Sequence, residues 1–388
     1  MNGKQEEENM GDNPLKQLSN LGQSIWLDYI RRDLISSGEL RHLIENDGLR
    51  GITSNPAIFE KAISGSNDYD TDIHSMAAAG KNGKEICEAI SLQDVRDAAT
   101  VFRPVYAATS VLDGYVSLEV NPHLAHDTQG TVEEARRLWQ ELDQPNVFIK
   151  VPATLEGLPA IRQLISEGIN INVTLLFSLS RYREVAEAYI AGMEDRCNQG
   201  KPLRHVASVA SFFLSRIDTL VDPILEKIIK QNSANAVLAV KLQGQVAVAS
   251  AKAAYQIYKE LFFCERFQKL MDKGALVQRL LWASTGTKNP QYSDVKYVDA
   301  IIAPNTVNTI PLETINAYRD HGQPGIRIED ELAAAMDVFK SLPELGINID
   351  QVTQQLEDEG VEKFNKPFDN LLQILERKAL EVKKPEGA

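Results

Sequence analysis

The chain contains 388 residues, of which 43% are hydrophobic and 24% are charged, with a formal net charge of −13 at pH 7. This balance is typical of a globular protein, and the acidic charge argues against general binding of nucleic acid or anionic membranes, which need basic surfaces. No stretch approaches the roughly 18 apolar residues of a membrane span. The cysteines are widely separated and the first 20 residues lack the apolar core of a signal peptide, so we expect a cytoplasmic protein without disulfides.

Residues 1–20 are rich in Glu, Asn, Gln and Lys, and they predict a polar, flexible N-terminal arm. After this arm, eight short apolar segments recur, each followed by a longer amphipathic stretch. Such alternation predicts β-strands separated by α-helices. The predicted strands are residues 24–28, 49–53, 114–120, 147–151, 169–174, 206–213, 279–284 and 297–303.

The intervals between strands carry helical periodicity. After the fifth strand, apolar residues between Tyr182 and Met193 recur at the spacing of one helix face. Between the fourth and fifth strands, Pro159 stands where a first helical turn would begin, and Gly168 supplies the stop. Together these signals predict a compact βαβ unit.

Eight strands alternating with helices favour an α/β fold with a parallel sheet, and eight strands close a (β/α)8 TIM barrel. The competing fold, an open doubly wound sheet, usually carries a Gly-rich phosphate loop, and no GxGxxG or GxxxxGK[ST] motif occurs here. Residues 328–380 predict additional C-terminal helices packed around the outside of the barrel. Because no long linker divides the chain, we predict that residues 21–388 form a single barrel domain that includes these helices.

Polar residues stand at or near the predicted carboxyl ends of the strands, where TIM barrels hold their active sites. One such residue is most simply a cap or a turn residue, but polar residues at seven or eight strand ends are hard to explain as caps. Two of them, Asn172 and Thr174, are two positions apart and therefore emerge on the same side of their strand. The set comprises Asp28, Asn55, Glu119, Lys150, Asn172, Thr174, Ser211, Ser284 and Asn305.

Lys150 is the most informative member of this set because it lies in the apolar run 146–152 (NVFIKVP). Loss of water around an ammonium group favours the uncharged amine, which is a nucleophile toward carbonyl groups. A lysine at a strand end can also extend its charge to solvent, so the residue alone leaves both interpretations open. An amine with two carboxylic acids, here Glu119 and Asp28, would meet the needs of Schiff-base chemistry without a metal or cofactor.

Several of these segments resemble the signatures of the transaldolase family, and they follow the family's order. The Asn-Pro turn is a weak signal by itself, whereas the Lys150 segment and the run that begins at Asn172 are specific. The chain length is similar to that of the longer bacterial type rather than the small decameric sugar-phosphate aldolases of the same superfamily. The matching segments are residues 51–56 (GITSNP), 116–120 (VSLEV), 147–154 (VFIKVPAT), 172–178 (NVTLLFS) and 210–218 (ASFFLSRID).

The resemblance implies a (β/α)8 enzyme of the pentose phosphate pathway that works without a cofactor. It would move a dihydroxyacetone unit from sedoheptulose 7-phosphate to glyceraldehyde 3-phosphate, giving erythrose 4-phosphate and fructose 6-phosphate. Lys150 would form the Schiff base with the ketose carbonyl. Glu119 would act as acid and base through a water that Thr174 helps to hold. Asp28 would take the C4-hydroxyl proton during C3–C4 cleavage.

The resemblance also implies residues that bind the sugar. Asn55 and Asn172 would hold hydroxyls of the three-carbon unit, Ser211 matches another hydroxyl-binding position, and Phe213 would line the cavity. Arg216 matches the family's phosphate anchor, a role that suits its bidentate guanidinium group.

The sequence departs from the family near the seventh strand. Many transaldolases follow the serine of that strand with an arginine that also contacts phosphate. Ser284 matches the serine, but the run 283–289 (ASTGTKN) has no arginine. We therefore expect Lys288 to supply the second phosphate-binding cation.

Two other functions compete with the transferase. The nearest is a class I aldolase of the fructose-6-phosphate type, a lyase that releases free dihydroxyacetone; these aldolases tend to carry glutamine where this chain has Glu119. A catalytically silent barrel would have no use for Lys150, Glu119 and Asp28 together.

The expected partners are small phosphorylated sugars, and the sequence leaves open whether the protein is a monomer or a homodimer. His123 and His126 are spaced too loosely to predict a metal site.

Overall fold

Eight parallel strands close into a barrel, which confirms the predicted fold class. The structure is a computed structural model that describes residues 13–231 and 234–382, with side chains described as far as residue 380. The strands are β1 (Gln23–Asp28), β2 (Gly51–Thr53), β3 (Tyr115–Glu119), β4 (Val147–Pro152), β5 (Ile171–Leu176), β6 (Ser208–Phe213), β7 (Arg279–Ala283) and β8 (Thr306–Ile310). Each strand pairs with the next, and β8 pairs with β1 to close the sheet.

Helices connect the strands and cover the barrel. In the described ranges they are α1 (Pro14–Asn20), α2 (Arg32–Ser36), α3 (Glu39–Asp47), α4 (Pro56–Ser64), α5 (Asp70–Ala78), α6 (Gly83–Ala108), α7 (Thr128–Leu142), α8 (Gly157–Glu167), α9 (Leu179–Asn198), α10 (Ser215–Lys230), α11 (Ala236–Leu242), α12 (Val246–Phe262), α13 (Glu265–Met271), α14 (Lys296–Ala300), α15 (Leu312–His321), α16 (Leu332–Ser341) and α17 (Ile349–Val382). Short 3₁₀ turns lie at Pro122–Leu124 and Pro343–Leu345. None of the helices in these ranges is long and apolar enough to cross a membrane.

The βαβ unit around α8 forms as its sequence indicates. Pro159 lies in the first turn of α8, and Gly168 follows the last turn with φ of +96°, a left-handed conformation that glycine adopts without steric cost. The apolar face predicted between Tyr182 and Met193 is buried in α9. These local signals therefore predicted the helices correctly.

The eighth strand lies later in the chain than residues 297–303, so this part of the strand prediction is wrong. Those residues overlap α14, and β8 follows at Thr306–Ile310. The polar side chains of β8 are buried and bonded inside the sheet: Asn308 accepts from Thr285 Oγ1 at 2.9 Å, and Thr309 Oγ1 lies 2.6 Å from Thr53 Oγ1. A strand built this way has no apolar run. Asn305 consequently precedes β8, with φ of +57°, instead of ending it.

The predicted flexible arm extends too far along the chain. Residues 14–20 form α1, Asn13 caps it by accepting from Leu15 N at 3.0 Å, and Leu15 and Leu18 are fully buried. Two leucines three positions apart make one apolar face that the polar composition of residues 1–20 conceals. The correction concerns residues 13–20, and the rest of the predicted arm lies outside the described residues.

An aromatic layer fills the barrel beneath the strand ends. Trp26 and Phe148 stand two positions before Asp28 and Lys150, so they point to the same side of their strands. Their ring centroids lie 5.9 Å apart, and both residues are buried. The close approach of Trp26 requires glycine at residue 51, because a Cβ there would lie 2.6 Å from the indole ring. The layer supports the polar side chains above it.

The last helix does more than coat the outside of the barrel. α17 is 34 residues long and packs against β5 and against α4, α5, α6 and α10. It thereby reaches the carboxyl end of the sheet, where Phe364 is buried. The prediction that the extra helices pack around the outside is wrong for α17.

Candidate active site

A cavity of about 290 Å³ opens at the carboxyl end of the barrel. Of the polar strand-end residues and the predicted sugar-binding residues, all except Glu119, Asn172 and Asn305 line it. Those that do are Asp28, Asn55, Lys150, Thr174, Ser211, Phe213, Arg216, Ser284 and Lys288.

Lys150, at the wall of this cavity, forms a buried pair with Glu119, which lines a neighbouring cavity of about 80 Å³. Lys150 Nζ lies 3.5 Å from Glu119 Oε2, and each side chain is 5% exposed. The lysine also donates to the backbone oxygen of Ser54 at 2.8 Å. Both carboxyl oxygens of Glu119 lack a hydrogen-bond partner among the described residues. Burial raises the pKa of Glu119 to about 7 despite the opposing charge of Lys150, so this group can give or take a proton near neutrality.

Asp28 is held by a chain of hydroxyl groups. Thr53 Oγ1 donates to Asp28 Oδ1 at 2.7 Å and lies 2.6 Å from Thr309 Oγ1. Since Thr53 has one hydroxyl proton and gives it to Asp28, it accepts from Thr309. Burial raises the pKa of Asp28, while Lys150, Thr53 and Arg216 lower it. This carboxyl is oriented toward the cavity and has an environment that strengthens it as a base.

Asn172 lies in the wall of the barrel, beside the cavity rather than on it. Its Nδ2 donates to Ser117 Oγ at 3.1 Å, and its Oδ1 accepts from Ser211 Oγ at 2.6 Å. The next inward residue of β5, Thr174, does line the cavity, and its buried hydroxyl has no partner among the described side chains. A bulge follows it, in which Leu175 has φ of +57°. Bulges of this kind re-aim side chains near active sites.

Cationic and hydroxyl side chains line the other half of the cavity. The guanidinium of Arg216 lies 5.3 Å from the ring centre of Phe213, and its Nη1 is buried without a hydrogen-bond partner in the described part of the chain. Burial lowers the pKa of Arg216. Ser284 Oγ lies 2.9 Å from Ser215 Oγ, and Lys288 is exposed at the rim. Binding of an anion would give the buried Nη1 of Arg216 a hydrogen-bond partner and would offset the cost of burying its charge.

Sequence reasoning missed several residues of this cavity. Lys61 from α4 and Lys363 from α17 add two cations to Lys150, Arg216 and Lys288. The further lining residues that it missed are Thr53, Ala57, Ile58, Ala283, Gly286, Thr309, Pro311 and Phe364. The lysines lie on helices, where a lysine is by default a solvated residue, so nothing in their local sequence marks them. The result is a cation-rich cavity in a protein of net charge −13.

The histidines considered for a metal site belong to separate contacts. His123 Nε2 lies 2.7 Å from Asp369 Oδ1, whereas His126 Nδ1 lies 3.2 Å from Glu156 Oε2. No group of three or more metal-binding side chains occurs within the described ranges.

A parallel barrel whose carboxyl end holds a buried lysine, two carboxyl groups and clustered cations has the composition of a class I aldolase barrel. The family model described as Transaldolase/Fructose-6-phosphate aldolase matches residues 25–375, and the chain belongs to this family. It is 50% identical to a transaldolase of Trichodesmium erythraeum, over 95% of this chain and 98% of that one. Transaldolases of Saccharopolyspora erythraea and Mycolicibacterium smegmatis are each 46% identical, over 93% and 94% of this chain and 96% and 97% of theirs.

Proposed function

We propose that this protein is a cytoplasmic transaldolase of the pentose phosphate pathway that works through a Schiff base on Lys150. It transfers a dihydroxyacetone unit from sedoheptulose 7-phosphate to glyceraldehyde 3-phosphate. The observation that carries the proposal is the Lys150 amine, buried at the cavity wall 3.5 Å from Glu119. Relatives named transaldolase, which match nearly the whole chain, favour the transferase over the lyase.

Imine formation uses Lys150 and Glu119. The Glu119 carboxylate takes a proton from the lysine ammonium, and the free amine attacks C2 of the ketose. Through an intervening water, Glu119 then returns the proton to the carbinolamine hydroxyl, which leaves as a second water. A pKa of about 7 suits both directions of this transfer. The Thr174 hydroxyl, which has no hydrogen-bond partner in the part of the chain that the structure describes, is available to hold the intervening water.

Carbon–carbon cleavage uses Asp28. Its carboxylate removes the C4-hydroxyl proton, the C3–C4 bond breaks, and the bonding electrons move into the imine to give an enamine. The aldose product then leaves. When an acceptor aldehyde binds, the enamine carbon attacks its carbonyl and Asp28 returns the proton to the new hydroxyl. Water then hydrolyses the resulting imine by the reverse of its formation, which releases the ketose product and frees the Lys150 amine.

The polar and cationic side chains of the cavity wall bind the substrate. Arg216 and Lys288 bind the phosphate, with Ser284 beside them. Asn55 offers its amide nitrogen, because its Oδ1 already accepts from Ile58 N at 3.0 Å. Ser211 offers its hydroxyl oxygen as an acceptor, since its proton goes to Asn172.

Borohydride reduction in the presence of fructose 6-phosphate, followed by peptide mass mapping, tests the proposal. We expect a three-carbon adduct on Lys150 and none in Lys150→Arg, which keeps the charge but cannot form the imine. Asp28→Asn should accumulate a six-carbon adduct, because cleavage slows by about 10²–10⁴-fold when a general base is lost. An unmodified Lys150 in the parent enzyme would refute the Schiff-base mechanism.

A further inference from the structure

The aromatic ring of Phe364 lies over the lysine at the centre of the site. Lys150 Nζ is 5.7 Å from the centre of this ring, within the range of a cation–π contact. Phe364 is 4% exposed and lines the same cavity as Lys150. It comes from α17, more than 200 residues later in the chain, so the end of the chain contributes directly to the surroundings of the amine.

One side of the barrel mouth holds α17 through close packing and a buried ion pair. Gly360 packs on the bulge of β5: a Cβ at this position would lie 3.0 Å from Leu175 Cδ2. Glu357 Oε2 lies 3.7 Å from Arg181 Nε of α9, and both side chains are 10% exposed. The turn of α17 that precedes Phe364 is therefore fixed beside β5.

A second part of the mouth, formed by the segments that follow β2 and β3, holds the rest of the helix. Lys378 Nζ lies 2.5 Å from Asp70 Oδ1 of α5, and Asp369 bonds His123 at 2.7 Å. At Gly83, the first residue of α6, a Cβ would lie 2.9 Å from the backbone oxygen of Leu372. With contacts in both parts, α17 is a strap across the mouth, and Phe364 lies between its two anchored regions.

The enamine on Lys150 has two fates, and water separates them. In transfer, its carbon attacks an acceptor aldehyde. In release, a proton adds to that carbon to give the imine, water adds across the C=N bond, and free dihydroxyacetone leaves Lys150 unmodified. Both fates end in hydrolysis of an imine, so they part where a proton from water reaches the enamine carbon, and excluding water from an active site suppresses such proton leakage. A buried ring over the lysine nitrogen occupies space from which water would reach the enamine.

We propose that Phe364 is a specificity-determining residue that shields the lysine-bound intermediate from water and so favours transfer over release of dihydroxyacetone. This inference rests on the proposed function and assigns part of the transferase specificity to α17.

The test measures the ratio of free dihydroxyacetone to transfer product, with fructose 6-phosphate as donor and erythrose 4-phosphate as acceptor. We expect the ratio to rise in Phe364→Leu and to rise further, about tenfold, in Phe364→Ala, as the space over the nitrogen opens to water. Phe364→Tyr keeps the ring and should stay near the parent value. Because the readout is a ratio of products, a smaller fraction of folded enzyme does not change it.

Leu375→Ala is the matched control, since Leu375 is a fully buried apolar residue of α17 that lines neither the sugar cavity nor the neighbouring cavity that contains Glu119. An unchanged ratio in both Phe364→Leu and Phe364→Ala would overturn the inference, and so would an equal rise in Leu375→Ala. Borohydride trapping on Lys150 accompanies each assay. A parent enzyme without an adduct refutes the proposed function, whereas an adduct with an unchanged ratio refutes only the role of Phe364.

Discussion

The carboxyl group of Glu119 lies 3.5 Å from Lys150 Nζ, and no group in the described part of the chain hydrogen-bonds to it. Its pKa of about 7 in the folded protein lies above the ordinary value of 4.5. The unfolded chain therefore loses this proton at a lower pH than the folded chain does. Glu119 contributes stability that is fully present below about pH 4.5 and is lost as the pH rises to about 7.

The corresponding prediction compares the parent with Glu119→Gln. Because glutamine does not titrate, the parent should lose free energy of unfolding relative to the variant between about pH 5 and about pH 8. Urea denaturation at both pH values measures the difference. A parent and a variant whose stabilities change in parallel would show that the carboxyl does not titrate in this window.

Arg216 is a permanent cation whose Nη1 is buried, with no hydrogen-bond partner among the residues that the structure describes. In Arg216→Leu we expect the KM for fructose 6-phosphate to rise by about tenfold or more, the size of one lost charged hydrogen bond. The KM for unphosphorylated fructose should stay unchanged, and the free energy of unfolding should not fall, since the variant removes a charge that is destabilised by burial. Steady-state kinetics with both sugars, beside urea denaturation, checks each part. Equal KM changes for the two sugars would contradict a phosphate contact.

The close approach of helix α17 to strand β5 depends on Gly360. Leucine at this position would meet Leu175 and push the helix, with Phe364, away from the barrel. We expect Gly360→Leu to lower kcat/KM by about tenfold, the order of loss produced by small displacements of catalytic groups. Asp358→Leu adds the same side chain on the exposed face of α17 and should leave kcat/KM unchanged. Similar losses in both variants would mean that the packing against Leu175 is not what positions the helix.

Sequence patterns predicted the elements whose local and tertiary preferences agree. β4 and α9 are examples. The apolar run of β4 is buried in the barrel, and the apolar face of α9 packs against the barrel. They failed at β8, where Asn308 Oδ1 and Thr309 Oγ1 hydrogen-bond to Thr285 and Thr53, residues distant in sequence. Such cross-strand partners exist only once the barrel has closed, so no window of the sequence reveals them.

The same limit explains the incomplete prediction of the site. Asp28 and Lys150 could be located because a parallel barrel brings every strand end to one face. Lys61 and Phe364 could not, since helices have no fixed position relative to that face. α17 has an ordinary amphipathic pattern, and only its tertiary packing places it across the mouth.

The two ends of the barrel have different roles: the carboxyl end holds the cavity, and the other end contributes to stability. The end opposite the cavity contains a buried ion pair, Arg279 Nη2 to Asp113 Oδ1 at 2.9 Å, with side chains 5% and 6% exposed. Asp113 also accepts from Ser24 Oγ at 2.7 Å and Trp26 Nε1 at 3.2 Å. These contacts join β1, β7 and the loop before β3, so they tie together strands that are far apart in sequence.

Removing one partner of this pair should separate stability from activity. We expect Asp113→Ala to lower the free energy of unfolding by about 3–5 kcal/mol, since Arg279 is left as an uncompensated buried charge. The kcat/KM per folded molecule should stay within about twofold of the parent value. Activity depends on the geometry of the carboxyl end of the barrel, and Asp113 lies at the other end. Replacing both partners by apolar residues, Asp113→Leu with Arg279→Met, should recover much of the lost stability. Urea denaturation of the single and double variants, with activity normalised to the folded fraction, measures both effects. A large fall in kcat/KM per folded molecule would show that the two ends of the barrel are coupled.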